Sequence, residues 1–252
     1  MGFMDIFSRE ARKQSALERN TKKVVHRHLQ SADRYAAMEQ LRADGSEAAL
    51  LAVARRFSFN YDKTIEDEQE KNWVFDVLTS LGERAIPPVR RYALDAVSLA
   101  WPLRVLEKIA EPARMAELVD ELLAREEPGY TRDPARKLQI LSWLADWNGS
   151  SPSELARRVV PYLGDFDEGV RFLAADTLAH STTRDESIAL APLLDALLRP
   201  EEDSRRVKLR VGEVLAEAGW RVTARLTEVS ALLASTLPEF TLSDDRLVRR
   251  KA

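Results

Sequence analysis

Between residues 59 and 75 the chain reads FNYDKTIEDEQEKNWVF, with five carboxylates, Asp62, Glu66, Asp67, Glu68 and Glu70, inside nine positions. Oxygen donors at that density raise the question of a calcium loop. Such a loop needs donors at alternating positions, a glycine at the sixth and a bidentate glutamate at the twelfth. Counted from Asp62, the third position is Thr64 and the sixth is Asp67, so the pattern fails. DFDEGV, residues 165–170, fails as well: Gly169 comes one position early and the twelfth position is Asp176. The plainer expectation is a helix start, with Thr64 and Asp67 as a loose capping box. Acids in that first turn meet the positive end of the helix dipole, each worth ~0.3–1 kcal/mol. Phe59 and Tyr61 are expected to fold back onto the helices; the alternative is an acidic loop facing a partner.

The other residue types that do chemistry are sparse. His26 and His28 stand two apart on an expected helix, hence on different faces, and His180 lies near a turn. None sits in the HExxH or carboxylate-rich setting that holds zinc. With no cysteine, disulfides, thiolate metal sites and cysteine nucleophiles are excluded together, which fits a reducing compartment. The nine glycines are spread almost singly, and no phosphate loop, GxSxG elbow or dinucleotide fingerprint is present. From these absences the chain is expected not to be an enzyme, with no catalytic, cofactor-binding or metal-ligating residue assigned.

The elements that would position a site are legible as a repeat. DEGVRFLAADTL, residues 167–178, places Val170, Ala174, Ala175 and Leu178 on one helical face. DSRRVKLRVGEVL repeats it with Val207, Val211, Val214 and Leu215, and with Lys208 where Arg171 stood. DPARKLQILSWL repeats it with Lys137, Ile140, Leu141 and Leu144. Weaker copies run through Trp101, Val105, Leu106 and Ile109, through Trp73, Val77, Leu78 and Leu81, and through Ala37, Met38 and Leu41. The anchors Leu41, Leu81, Ile109, Leu144, Leu178 and Leu215 lie 40, 28, 35, 34 and 37 residues apart, a period of two helices and two turns. Each is followed by a second apolar helix, as in ALLAVARRF, IPPVRRYAL or ELARRVVPYL, and no strand-like alternation competes.

On DEGVRFLAADTL, its echoes, and LGERAIPPV at residues 81–89, the chain resembles the HEAT-repeat family, within the armadillo-like α-solenoids. The resemblance covers roughly residues 31–238. It implies an all-α, right-handed α-solenoid of about six stacked antiparallel helix pairs, preceded by a basic capping segment at 1–30 and followed by a polar, basic tail at 239–252. Stacking is required because a lone helix pair cannot bury both of its apolar faces.

Three second helices carry adjacent arginines: Arg55 and Arg56, Arg90 and Arg91, Arg157 and Arg158. In a HEAT-like stack the second helices line the concave side, so one arginine of each pair is expected in that groove, Arg56, Arg91 and Arg158 foremost. A planar guanidinium there binds carboxylate or phosphate in bidentate fashion. The competing reading is a set of surface ion pairs worth ~0–1 kcal/mol each. The five tryptophans are expected in the core, Trp147 and Trp220 being the exceptions to watch.

The function expected on these grounds is a non-catalytic scaffold that holds a protein partner, an acidic peptide or a phosphate-bearing segment, in its groove. A nucleic-acid binder built like the alkylpurine DNA glycosylases is the alternative, and a repeat of the phycobilin-attachment kind a third. Residues 1–30 carry +4, leaving −7 on the rest of the chain, and an acidic body disfavours phosphate-backbone contact. No run approaches the ~18 apolar residues of a membrane span. Ile6 stands where a myristoylation signal after Gly2 wants Ser or Thr. A cytoplasmic location is the expectation.

Overall fold

The computed structural model describes residues 3–180 and 185–250, with side chains from residue 10 onward; Gly2, Ile6 as a side chain, and the last two residues of the basic tail lie outside this set. The described residues form thirteen α-helices and one β-hairpin. Contacts divide the chain into two compact units, residues 1–118 and 119–252.

In the first unit, α1 (Phe3–Val24) precedes α2 (Ser31–Asp44), α3 (Glu47–Ala54), α4 (Thr64–Ser80), α5 (Ile86–Asp95) and α6 (Ala100–Ile109). Consecutive helices form pairs, and helices of like order stack: α2 lies on α4, α4 on α6, and α3 on α5. Helix α7 (Pro112–Arg125) straddles the boundary. The second unit continues with α8 (Ala135–Asp146), α9 (Pro152–Val159), α10 (Glu168–His180), α11 (Glu186–Leu198), α12 (Arg205–Ala218) and α13 (Leu226–Ser235). There α8 stacks on α10, α10 on α12, α9 on α11 and α11 on α13. This is the all-α, paired-helix fold expected from the repeat. Among the described residues no helix is long and apolar enough to cross a membrane.

Local chemistry sets the helix ends. Ser151 and Glu154 form a full capping box at α9, and Ser46 and Ser204 cap α3 and α12 by accepting from the backbone N–H groups of Ala49 and Val207. Gly45 and Gly219 end α2 and α12 with φ of 64°, the left-handed conformation that a side chain resists.

Four anchors, Leu41, Leu144, Leu178 and Leu215, are buried as expected. Leu81 and Ile109 are only half-buried, and the core position is taken by Leu78 and Leu106, three residues earlier. The reason is helix length: Leu81 caps α4 and Ile109 is the last residue of α6, so both side chains overhang the stack.

The tail, expected only as polar and basic, contains a β-hairpin. Residues Phe240–Ser243 (β1) and Arg246–Arg249 (β2) pair antiparallel across Asp244 and Asp245, whose φ values of 51° and 62° suit a two-residue turn of the mirror-image type. Phe240 and Leu247 are buried, and β2 packs on α12. Gly212 of α12 makes the fit possible, since a Cβ there would lie 3.0 Å from the Phe240 ring. The hairpin covers α12, the last first-helix of the second unit.

Candidate functional site

Part of the acidic stretch turns inward. Asp67 and Glu70, one turn apart on α4, are buried together with Lys71, with Arg34 of α2 and with Arg56 from the 3₁₀ turn at residues 55–58. Glu70 accepts from Nε of Arg34 at 3.0 Å, from Ser31 at 2.6 Å and from the Tyr61 hydroxyl at 3.1 Å, and it pairs with Arg56. Asp67 bridges Arg56 and Lys71, and Arg56 donates its remaining reach to the Phe59 carbonyl at 3.1 Å. The Arg56 guanidinium lies 4.4 Å from the Phe59 ring centroid and that of Arg34 4.5 Å from Tyr61. Phe59 and Tyr61 therefore do fold back, roofing the charges with aromatic faces. The capping expectation is corrected: Thr64 is already the first helical residue, Lys63 caps without a side-chain bond, and Asp67 is spent on Arg56 and Lys71.

The electrostatics follow from this crowding. Burial alone would push the Glu70 carboxyl up, but hydrogen bonds from Arg34, Ser31 and Arg56 outweigh it and hold Glu70 below the usual carboxylate range. Burial also pushes the Tyr61 hydroxyl up, with the Glu70 charge adding to it. Three cations and two carboxylates leave the buried cluster with a formal charge of +1.

Unit two shows that the surplus is particular to this place. At the matching first-helix positions Lys137 meets Asp165 at 2.7 Å and Arg171 meets Glu202 at 2.5 Å, each a one-to-one clasp between successive repeats. Arg34 and Glu70 are the first-unit version, 36 residues apart. Arg56 is the addition: it brings a second arginine onto Glu70.

Above the cluster opens a cleft of about 760 Å³ between the α1–α2 connection and the loop before α4. Arg34, Ser31 and Tyr61 join its wall to the buried charges, and Arg27, Lys63 and Glu66 stand at its rim. His26 and His28 fall in this connection rather than on a helix: α1 ends at Val24, and the two exposed rings meet edge-on at 6.2 Å instead of diverging. The rim cations Arg27 and Lys63 are matched by Asp62 and Glu66, so the cluster's +1 sets the sign of the cleft. The arrangement can hold a small anionic group against Arg27 and Lys63 at the rim, with Tyr61 and Leu29 as apolar walls and the buried charge of Arg34 behind them.

The arginines expected in a common groove stand in different settings. Arg56 is fully buried and opens a 3₁₀ turn after α3 rather than facing a groove; it can influence a ligand only through the charge it adds. Arg55, Arg90, Arg91 and Arg157 are exposed, and Arg158 is half-buried, held by Asp120 at 2.6 Å and Ser150 at 2.7 Å. Arg55 to Arg91 belong to the first unit and the last pair to the second. The tryptophans pack: Trp101 stacks on Phe57 at 5.3 Å, Trp73 meets Tyr35 edge-on at 5.9 Å, Trp143 stacks on buried Trp147 at 4.9 Å, and half-buried Trp220 closes a small gap beside Leu178 and Val214. Sequence reasoning missed Arg34 and Glu70. The signal was there in the position of Arg34, which precedes Ala37, Met38 and Leu41 at the same spacing as Lys137 precedes Ile140, Leu141 and Leu144.

No family model matches the chain, and no curated protein matches it. Among solved structures it is similar to human deoxyhypusine hydroxylase in complex with glycerol, at 15% identity and a TM-score of 0.32, over 90% of this chain and 92% of that one. That structure is of an enzyme. The expectations of a non-catalytic scaffold and of a chain that is not an enzyme are corrected on their own ground: they rested on absent motifs, and absence of a motif in a helical repeat does not exclude catalysis. Nor does any match support the nucleic-acid alternative. At that identity and TM-score the likeness carries no activity, substrate or site over to this chain.

Proposed function

We propose that this helical-repeat chain, of HEAT-like organisation, recognises an anionic group, the carboxylate or phosphate of a small ligand or of a partner's acidic segment, in the cleft of its first unit. The observation that carries the reading is the uncompensated +1 of the Arg34, Arg56, Lys71, Glu70 and Asp67 cluster behind the cleft wall. A buried charge without a counter-charge is costly, and an anion in the adjoining cleft offsets that cost where chloride or water does so weakly. Arg27 and Lys63 at the rim supply donors that reach an incoming oxyanion, and Arg34 holds the inner wall. The two one-to-one clasps of the second unit, which need no such counter-ion, support the same reading.

The test is calorimetric titration of the whole chain with inorganic phosphate and with a hexaglutamate peptide, chloride being adjusted to constant ionic strength. Arg56→Met removes the surplus without touching the cleft surface and is expected to weaken phosphate binding about tenfold, or ~1.4 kcal/mol. Lys63→Ala, at the exposed rim, is expected to weaken it without altering the fold. No heat with either probe, or equal affinity in the Arg56→Met chain, overturns the reading.

A further inference from the structure

The second unit presents two aromatic rings to solvent side by side. Tyr130, on the loop between α7 and α8, is 76% exposed, and Phe166, on the turn before α10, is 69% exposed. Their rings meet edge-to-face at 5.2 Å. Neither ring is part of the core.

What holds them together is the clasp beneath. Lys137 donates to the Gly129 carbonyl and to Asp165, both at 2.7 Å, and Asp165 accepts the Gly129 N–H at 3.0 Å. Gly129 immediately precedes Tyr130, and Asp165 immediately precedes Phe166. One buried ion pair thus fixes the backbone on which each ring stands, and Gly129 adopts a φ of 126° to bring its loop over Asp165. Arg171 fastens the other side of the turn by donating to the Asp165 and Phe166 carbonyls at 3.0 and 2.8 Å. The rings are preorganised, which removes part of the ordering cost of binding.

The charge of the two loops says what fits. On them Glu126, Glu127, Asp133 and Asp167 are exposed or half-buried, against the exposed cation Arg132; at the flanking helix ends Glu168 opens α10 and Arg125 closes α7. An aromatic pair carried on acidic loops attracts a cation through the ring faces and the carboxylates at once. We propose that Tyr130 and Phe166 form a docking platform for a basic segment of a partner protein, a lysine or arginine of which lies across the two rings on the acidic loops. The platform belongs to the second unit and is independent of the anion cleft in the first.

The experiment is fluorescence anisotropy of the whole chain with a labelled peptide of alternating arginine and glycine, compared with an alternating glutamine and glycine peptide of the same length. The arginine peptide is expected to bind, and Tyr130→Ala with Phe166→Ala to weaken it about tenfold while Tyr130→Phe leaves it unchanged. Both rings are exposed, so circular dichroism of the double variant is expected to match the parent. Failure of the arginine peptide to bind, equal binding of the glutamine peptide, or equal binding by the double alanine variant overturns the proposal; the last outcome would reduce the site to charge alone.

Discussion

Replacing Arg56 by methionine and Glu70 by glutamine should affect stability very unequally, although both residues are buried in one cluster. Arg56→Met deletes bonds to Glu70, Asp67 and the Phe59 carbonyl. It nevertheless leaves Glu70 paired with Arg34 and Asp67 paired with Lys71, so the residual cluster is neutral. The main penalty is the stranded Phe59 carbonyl and the lost hydrogen bonds, about 1–3 kcal/mol. Glu70→Gln deletes the group that Arg34, Arg56, Ser31 and Tyr61 all address and raises the formal charge of the cluster from +1 to +2. Breaking a buried pair from that side costs about 3–5 kcal/mol. Urea unfolding followed by far-ultraviolet circular dichroism gives both numbers from the shift in midpoint. An Arg56→Met cost equal to or above that of Glu70→Gln would show that the third cation is needed to hold the cluster, and would remove the basis for a surplus.

Three further outcomes follow from the same contacts. Glu70 and Glu202 are both held below the ordinary glutamate value of 4.5 when folded, so the unfolded chain binds more protons near that pH; their contribution is complete above about pH 4.5 and is lost as pH falls through the lower folded values, and a urea midpoint that stays flat on acidification below 4.5 would contradict this. Lys137→Met leaves the buried Asp165 carboxylate without its cation and should cost about 3–5 kcal/mol, whereas adding Asp165→Asn, which removes the charge and keeps an acceptor for the Gly129 and Asp167 N–H groups, should recover part of the loss, as thermal melts of the single and double variants would show. Gly212→Val places side-chain carbon against the Phe240 ring, where a Cβ alone already sits at 3.0 Å; a cost of about 1–3 kcal/mol and faster amide exchange in residues 240–249 are expected, and unchanged exchange would mean that the hairpin does not depend on this contact.

The helices and their pairing were legible because apolar residues recur at helical spacing, from Val170 to Leu178 and from Val207 to Leu215, and this spacing survives any choice of partner. Phase was less secure: Leu81 and Leu78 both suit the pattern, and only the end of α4 at Ser80 decides between them. The hairpin escaped notice because each strand has four residues and its turn is Asp244–Asp245 rather than an asparagine–glycine pair. Arg56 was visible as a cation but not as a buried one. Its partner Glu70 is 14 residues away, beyond the reach of a helical-spacing argument, and it lay within a carboxylate run that a helix dipole already explained. The cleft was illegible for a related reason, since its walls are the two connections preceding α2 and α4, whose residues carry no period.

The clasps between successive repeats join Arg34 to Glu70, Lys137 to Asp165 and Arg171 to Glu202, across 36, 28 and 31 residues. Bonds of such short reach along the chain keep contact order low, so the search that precedes folding is brief. A nascent chain can therefore fasten each hairpin as soon as the following turn emerges, without waiting for its far end. Damage to one fastening should accordingly loosen its own neighbourhood before it is felt elsewhere.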